Sequence, residues 1–141
     1  MYYINEKQIE ERLHFIEFIS SSLSKLSESW DAGDPLKQLA QERVLHLAIE
    51  TVTDVGSLLI DAFMMRDASS YEDIVDILAG EGVFSQEVAA KLSELVKLRK
   101  PLIQEYVGFP RERLQPVIAG LPDVLREFAA IVPVFIRKEM I

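Results

Sequence analysis

Apolar residues recur along this chain at steps of three and four, and no segment alternates polar and apolar positions with period two. Ile9, Leu13, Ile16, Ile19, Leu23, Leu26 and Trp30 form the first such stripe. Asn5 and Gln8 supply a capping-box spacing ahead of it, and Ile4 and Ile9 the spacing of a hydrophobic staple, so a first helix is expected over residues 6–29. Ser20, Ser21, Ser22, Ser24, Ser27 and Ser29 lie mostly off the stripe and read as a polar face. Asp31-Ala-Gly-Asp-Pro35 is a turn signal, with Asp34 as N-cap and Pro35 at the first helical position of a long second helix reaching toward Arg66. Leu36, Leu39, Val44, Leu47, Val55, Leu58 and Ala62 make its main stripe, and Leu45, Ile49, Val52 and Leu59 lie beside it. A helix apolar on more than one side is central, or faces both a core and a partner. Glu42, Arg43, His46, Glu50 and Asp54 mark its polar side, where His46 sits four residues from both Glu42 and Glu50 and reads as a paired surface histidine.

Ser70-Tyr-Glu-Asp73 caps a short third helix that carries Ile74, Val75, Ile77 and Leu78 and stops at Gly80 or Gly82. Ser85 caps a fourth, with Val88, Leu92, Leu95 and Val96 inward. A short helical piece is expected around 111–119, ended by Gly120, and a last helix carries Val124, Leu125, Phe128, Val132, Phe135 and Ile136, with a kink at Pro133. Hairpin turn dipeptides are missing. The pattern predicts an all-α fold: an antiparallel up-and-down four-helix bundle with additional short helices, in a single domain over 1–141.

Charge and composition narrow the function. A formal net charge of −8 opposes broad attraction to nucleic acid or anionic membranes, so any contact with RNA needs a local basic cluster. The densest are Lys97, Arg99 and Lys100, then Arg111 and Arg113. There is no cysteine, and His14 and His46 are too few and too far apart for a histidine metal site, so neither metal nor cofactor is expected. The start, Met1-Tyr-Tyr-Ile-Asn-Glu, has neither the basic region nor the apolar core of a signal peptide, and no run has membrane-spanning length. The expectation is a cytoplasmic protein with no membrane contact.

One stretch departs from plain helix-building. In Leu95-Val-Lys-Leu-Arg-Lys-Pro-Leu-Ile-Gln-Glu-Tyr106, two cations stand side by side before Pro101, which removes a backbone donor and disfavours helix just before it. Together with Gln41-Glu-Arg-Val-Leu-His-Leu-Ala-Ile-Glu50, Asp54 and Ser70-Tyr-Glu-Asp-Ile-Val-Asp-Ile-Leu78, this stretch resembles the HepT-like branch of the HEPN helical-bundle family. That family's signature is an arginine, usually with a polar residue after it, then four to six residues to a histidine, and in this branch a tyrosine two positions on. Arg99 and Tyr106 hold the flanking positions, Lys100 stands where asparagine is usual, and the histidine position is Gln104.

The resemblance implies a homodimer with a composite site between two bundles, metal-independent endoribonuclease activity, and a toxin role beside a minimal nucleotidyltransferase antitoxin. In such pairs the antitoxin can transfer AMP to the signature tyrosine, here Tyr106. Cleavage through the ribose 2′-hydroxyl needs a proton acceptor, a proton donor and a cation at the phosphate. Arg99, with Lys100 beside it, suits the phosphate, because a guanidinium fork binds two oxygens. Gln104 hydrogen-bonds but does not titrate, a loss on the order of 10²–10⁴ in rate. The candidate catalytic residues are therefore Arg99, Gln104 and Tyr106, in a weakened or inactive nuclease. The alternative is a non-catalytic dimeric helper subunit for a minimal nucleotidyltransferase or a nucleotide. On a straight helix Arg99 and Tyr106 lie about 20° apart, and Arg99 and Gln104 about 140° apart, so the first pair should share a face unless Pro101 bends the segment. A purely structural reading has Tyr106 packed at the bundle edge and Arg99 paired with Glu105 or another carboxylate.

Overall fold

Helix α1 spans Glu6–Glu28 and begins as its cap predicts, the Asn5 side chain accepting from the Gln8 backbone N–H at 3.2 Å. The computed structural model describes residues 3–140, all of its regular structure helical. Ile9, Ile16, Ile19 and Leu23 of the predicted stripe are buried. Ser20 is the exception among the serines: it is buried, and its hydroxyl has no hydrogen-bond partner among the described residues.

Helix α2 spans Pro35–Ala62, with the Asp34 side chain accepting from the Leu36 N–H at 2.9 Å. It stops short of Arg66, because Met64 adopts a left-handed φ of 52° and the Met65 N–H turns back to the Ile60 carbonyl at 3.0 Å. The main apolar row of α2 is buried only in part: Val55 and Ala62 are in the core, Val44, Leu47 and Leu58 pack against it, and its first residues face out. Leu45, Ile49, Val52 and Leu59 are fully buried with Ala48 and Val55, whereas Leu36 and Leu39 are 76% and 60% exposed. Periodicity ranks neither row when both are apolar. Packing decides, since α1, α3, α4 and α5 all lie against α2.

Helix α3 (Tyr71–Gly80) starts at Ser70, whose hydroxyl accepts from the Asp73 N–H at 3.0 Å. It ends in a turn where Gly82 has φ 78° and the Val83 N–H reaches the Leu78 carbonyl. Gly56 of α2 lets α3 come close: a β-carbon there would clash with Ile74 Cγ2 and lie 3.2 Å from Leu78 Cδ1. Helix α4 (Gln86–Lys97), capped by Ser85, packs on α3 and α7. Helix α5 (Arg99–Ile103), a 3-10 turn (Arg111–Arg113), α6 (Leu114–Ile118) and α7 (Leu121–Glu139) complete the chain. Pro133 does not end α7, which continues to Glu139. Helices α1, α2, α4 and α7 enclose a core that includes Leu92, Leu95, Leu125 and the fully buried Phe128. Each such side chain contributes roughly 1.5–3 kcal/mol. No helix among the described residues is long and apolar enough to cross a membrane.

Candidate functional site

The break foreseen at Pro101 falls at Leu98. The Leu98 N–H bonds to the Leu95 carbonyl at 3.0 Å, and the ladder restarts with Leu102 N–H to the Leu98 carbonyl. Pro101 occupies the first turn of α5, where a missing N–H leaves no helical bond unmade. The restart sets Arg99 against the polar side of α2. Its Nε donates to Glu50 Oε1 at 3.3 Å, and its guanidinium lies over the Tyr71 ring, 3.8 Å from the centroid. Its two terminal nitrogens make no hydrogen bond among the described residues and remain open to a bidentate ligand.

Tyr71 is the first residue of α3, and a clamp fixes that helix start. Arg66 grips Asp73 with two bonds of 2.7 Å, while the Ser69 N–H and hydroxyl add 3.0 and 3.1 Å contacts. Arg66, and after it the Ser69 backbone, hold the Asp73 carboxyl far below its ordinary range, and Arg66 is raised in turn. Thus the residues after the early end of α2 orient the ring on which Arg99 lies.

A groove of about 210 Å³ beside this pair is lined by Ser70, Tyr71, Lys97, Arg99, Lys100 and Gln104, among others. That is less than the roughly 300 Å³ at which enclosed ligand pockets begin, too small to bury a whole nucleotide. Gln104 thus joins Arg99, which corrects the straight-helix expectation. Tyr106 does not line this groove: the last helical bond is Gln104 N–H to the Lys100 carbonyl, and Tyr106 follows in a turn. Gly108 and Pro110 disfavour continuation of the helix, and Arg111 Nη2 takes the Tyr106 carbonyl at 3.1 Å. The Tyr106 side chain is exposed, its phenol without a hydrogen bond among the described residues.

The polar side of α2 carries a second pairing that sequence spacing assigned differently. Glu42 bonds Arg111 Nε at 2.5 Å, not His46. His46 instead lies between Glu50, 3.5 Å from Nε2, and Arg43, 3.3 Å from Nδ1. Glu105, one carboxylate considered for Arg99, meets Lys100 at 3.9 Å. Of the cations named from sequence, Lys97 and Lys100 stay exposed beside Arg99, while Arg111 is tied down. Glu50 and Tyr71 are the site residues that sequence reasoning missed. Glu50 stood on the recognised polar side; no spacing linked Tyr71 to Arg99. No group of three or more acidic, histidine or cysteine side chains among the described residues is placed to hold a metal ion.

Comparison with known proteins gives the family and the fold. A family model described as "Ribonuclease HepT-like" matches residues 9–131. YutE of Bacillus subtilis (strain 168), named provisionally as an RNase, is 32% identical over 140 residues, 99% of this chain and 95% of the relative. A solved structure of YutE, described there as a cytosolic protein of unknown function, superposes with a TM-score of 0.87 over 99% of this chain and 95% of that one. A tri-AMPylated Shewanella oneidensis HEPN toxin, solved in complex with its MNT antitoxin, shares the fold with a TM-score of 0.81 at 15% identity, over 90% of this chain and 97% of that one. By the extent of the family match and the identity to YutE, this chain belongs to the HepT-like ribonuclease family.

Proposed function

We propose that this HepT-like chain is the toxin component of a toxin–antitoxin pair and acts on RNA from the Arg99 groove. The observation that carries the reading is the state of Arg99. One nitrogen is anchored to Glu50 and the plane is set by Tyr71, yet both terminal amino groups remain free. A guanidinium so oriented binds two oxygens of a phosphodiester with little further ordering cost. Lys97 and Lys100 add local positive charge on an otherwise acidic protein. Gln104 lines the groove and supplies hydrogen bonds without proton exchange.

Tyr106 serves a second event. Its exposed phenol is an accessible acceptor for AMP from a minimal nucleotidyltransferase, the partner class seen with the Shewanella toxin. The phenol oxygen attacks the α-phosphorus of ATP, and pyrophosphate leaves. Exposed Leu36 and Leu39 on α2 support a homodimer, since apolar residues exposed in a row are a liability in a monomer. We place the protein in the cytoplasm, as a single domain, in keeping with the cytosolic description of YutE.

The test uses purified protein with labelled RNA. Wild type should cleave, Arg99→Ala should cleave at least about 10²-fold more slowly, and Gln104→His should be faster than wild type. No cleavage beyond the Arg99→Ala level, with no gain from Gln104→His, rejects the nuclease. It would favour a helper subunit, the reading that Gln104 itself supports. Mass spectrometry after co-expression with the transferase should find AMP on Tyr106, and light scattering should give a dimer at micromolar concentration.

A further inference from the structure

Gln104 does not titrate, but an imidazole reaches the carboxylate that orients Arg99, that of Glu50 on α2. His46 Nε2 and Arg99 Nε lie 3.5 and 3.3 Å from one atom, Glu50 Oε1. Glu50 is therefore a shared hinge: one oxygen orients both a phosphate-binding cation and a histidine. Such convergence is more than an isolated surface pair on one helix requires, because Arg99 arrives from α5.

The contact with Arg43 points to one tautomer. Arg43 only donates, so its 3.3 Å contact makes Nδ1 the acceptor and places the neutral ring's proton on Nε2, facing the carboxylate. This is the logic of a carboxylate–histidine pair in which the acid holds one nitrogen and the other does the work. The working lone pair is on Nδ1, and a substrate hydroxyl would take the place of the exposed Arg43 side chain that meets it. His46 is 31% exposed, buried enough to be held and open enough to be reached.

We infer that His46 is the general base of this protein and Glu50 its positioning residue, replacing the proton transfer that position 104 lacks. The inference rests on the ribonuclease reading above. His46 Nδ1 takes the proton of a ribose 2′-hydroxyl, and the 2′-oxygen forms a bond to phosphorus beside Arg99. The bond from phosphorus to the 5′-oxygen breaks, and that oxygen takes a proton from water. The products are a 2′,3′-cyclic phosphate and a 5′-hydroxyl, and the imidazolium returns its proton to the hydroxide left behind. The charged groups meeting the ring are Arg43 and Glu50 of α2. Beyond Glu50 stand Arg99 of α5 and the Tyr71 phenol of α3.

The experiment measures cleavage of labelled RNA against pH for wild type, His46→Gln, His46→Ala with and without added imidazole, Glu50→Gln and Arg99→Ala, with thermal unfolding of each. His46→Gln should lower the rate about 10²–10⁴-fold and remove one limb of the pH profile. Imidazole should restore part of the His46→Ala rate, which a merely structural histidine would not allow. Glu50→Gln should shift that limb rather than abolish it. Unchanged rate and profile in His46→Gln, with Arg99→Ala still impaired, overturn the inference and spare the ribonuclease reading. A wild type no faster than Arg99→Ala overturns both.

Discussion

Two arginines from the C-terminal half of the chain meet glutamates on one side of α2, and they are bound in opposite ways. Arg111 is spent inside the protein: Nε and Nη2 engage both oxygens of Glu42 at 2.5 and 3.4 Å, and Nη2 also holds the Tyr106 carbonyl. Arg99 gives a single nitrogen to Glu50, and an aromatic ring rather than further acceptors fixes its plane. The same residue type facing the same helix is a fastener in one place and, on the proposed function, a receptor in the other. What separates them is how many donors the protein leaves unused, a property that neither net charge nor clustering in sequence reports.

The largest expected departure comes from keeping the charge of Arg99 and removing its fork. Arg99→Lys should lower RNA cleavage by roughly 10–100-fold, the loss of one charged hydrogen bond of about 1.5–3 kcal/mol, with thermal stability near wild type. The mirror-image change, Arg111→Ala, should leave the rate per folded molecule near wild type. It should cost about 1.5–3 kcal/mol in denaturant unfolding, because Glu42 is left partly buried and unpaired. If the two variants fail in the same way, the division between fastener and receptor is wrong.

Smaller effects test how the receptor is built. Gly56→Ala should destabilise by about 1–2 kcal/mol: overpacking against Ile74 exceeds the gain in helix propensity of about 1 kcal/mol. Displacing α3 should also reduce cleavage through Tyr71. The Arg66–Asp73 clamp contributes a pH dependence whose sign follows from a depressed carboxyl. Its stabilisation is present above the ordinary carboxylate value of about 4 and is lost as pH falls through the lower folded-state value. Thermal scans should show Asp73→Asn less stable than wild type at neutral pH, with the gap narrowing in acid.

How far the sequence revealed this molecule varies by region for physical reasons. α1 was legible because one face of it is apolar, and periodicity then names the core directly. α2 was legible as a helix but not in its facing. With two apolar rows, only the helices packed against it select Leu45, Ile49 and Val52 over Leu36 and Leu39. Arg99 was found because Pro101 interrupts a regular pattern. Its partners were not, because Glu50 and Tyr71 approach from other helices, and helical spacing reports neighbours only within one. The helical angle between Arg99 and Tyr106 does not apply for a related reason: the angular rule holds while a helix lasts, and α5 ends at Ile103.

The most direct test of an open Arg99 and a closed Arg111 is the salt dependence of binding to a non-cleavable 2′-O-methyl RNA strand. Arg99→Ala should reduce the slope of log affinity against log salt by about 0.7, one phosphate contact on a single strand, and Arg111→Ala should leave it unchanged. A slope unaltered by Arg99→Ala, or lowered equally by both, would contradict the account.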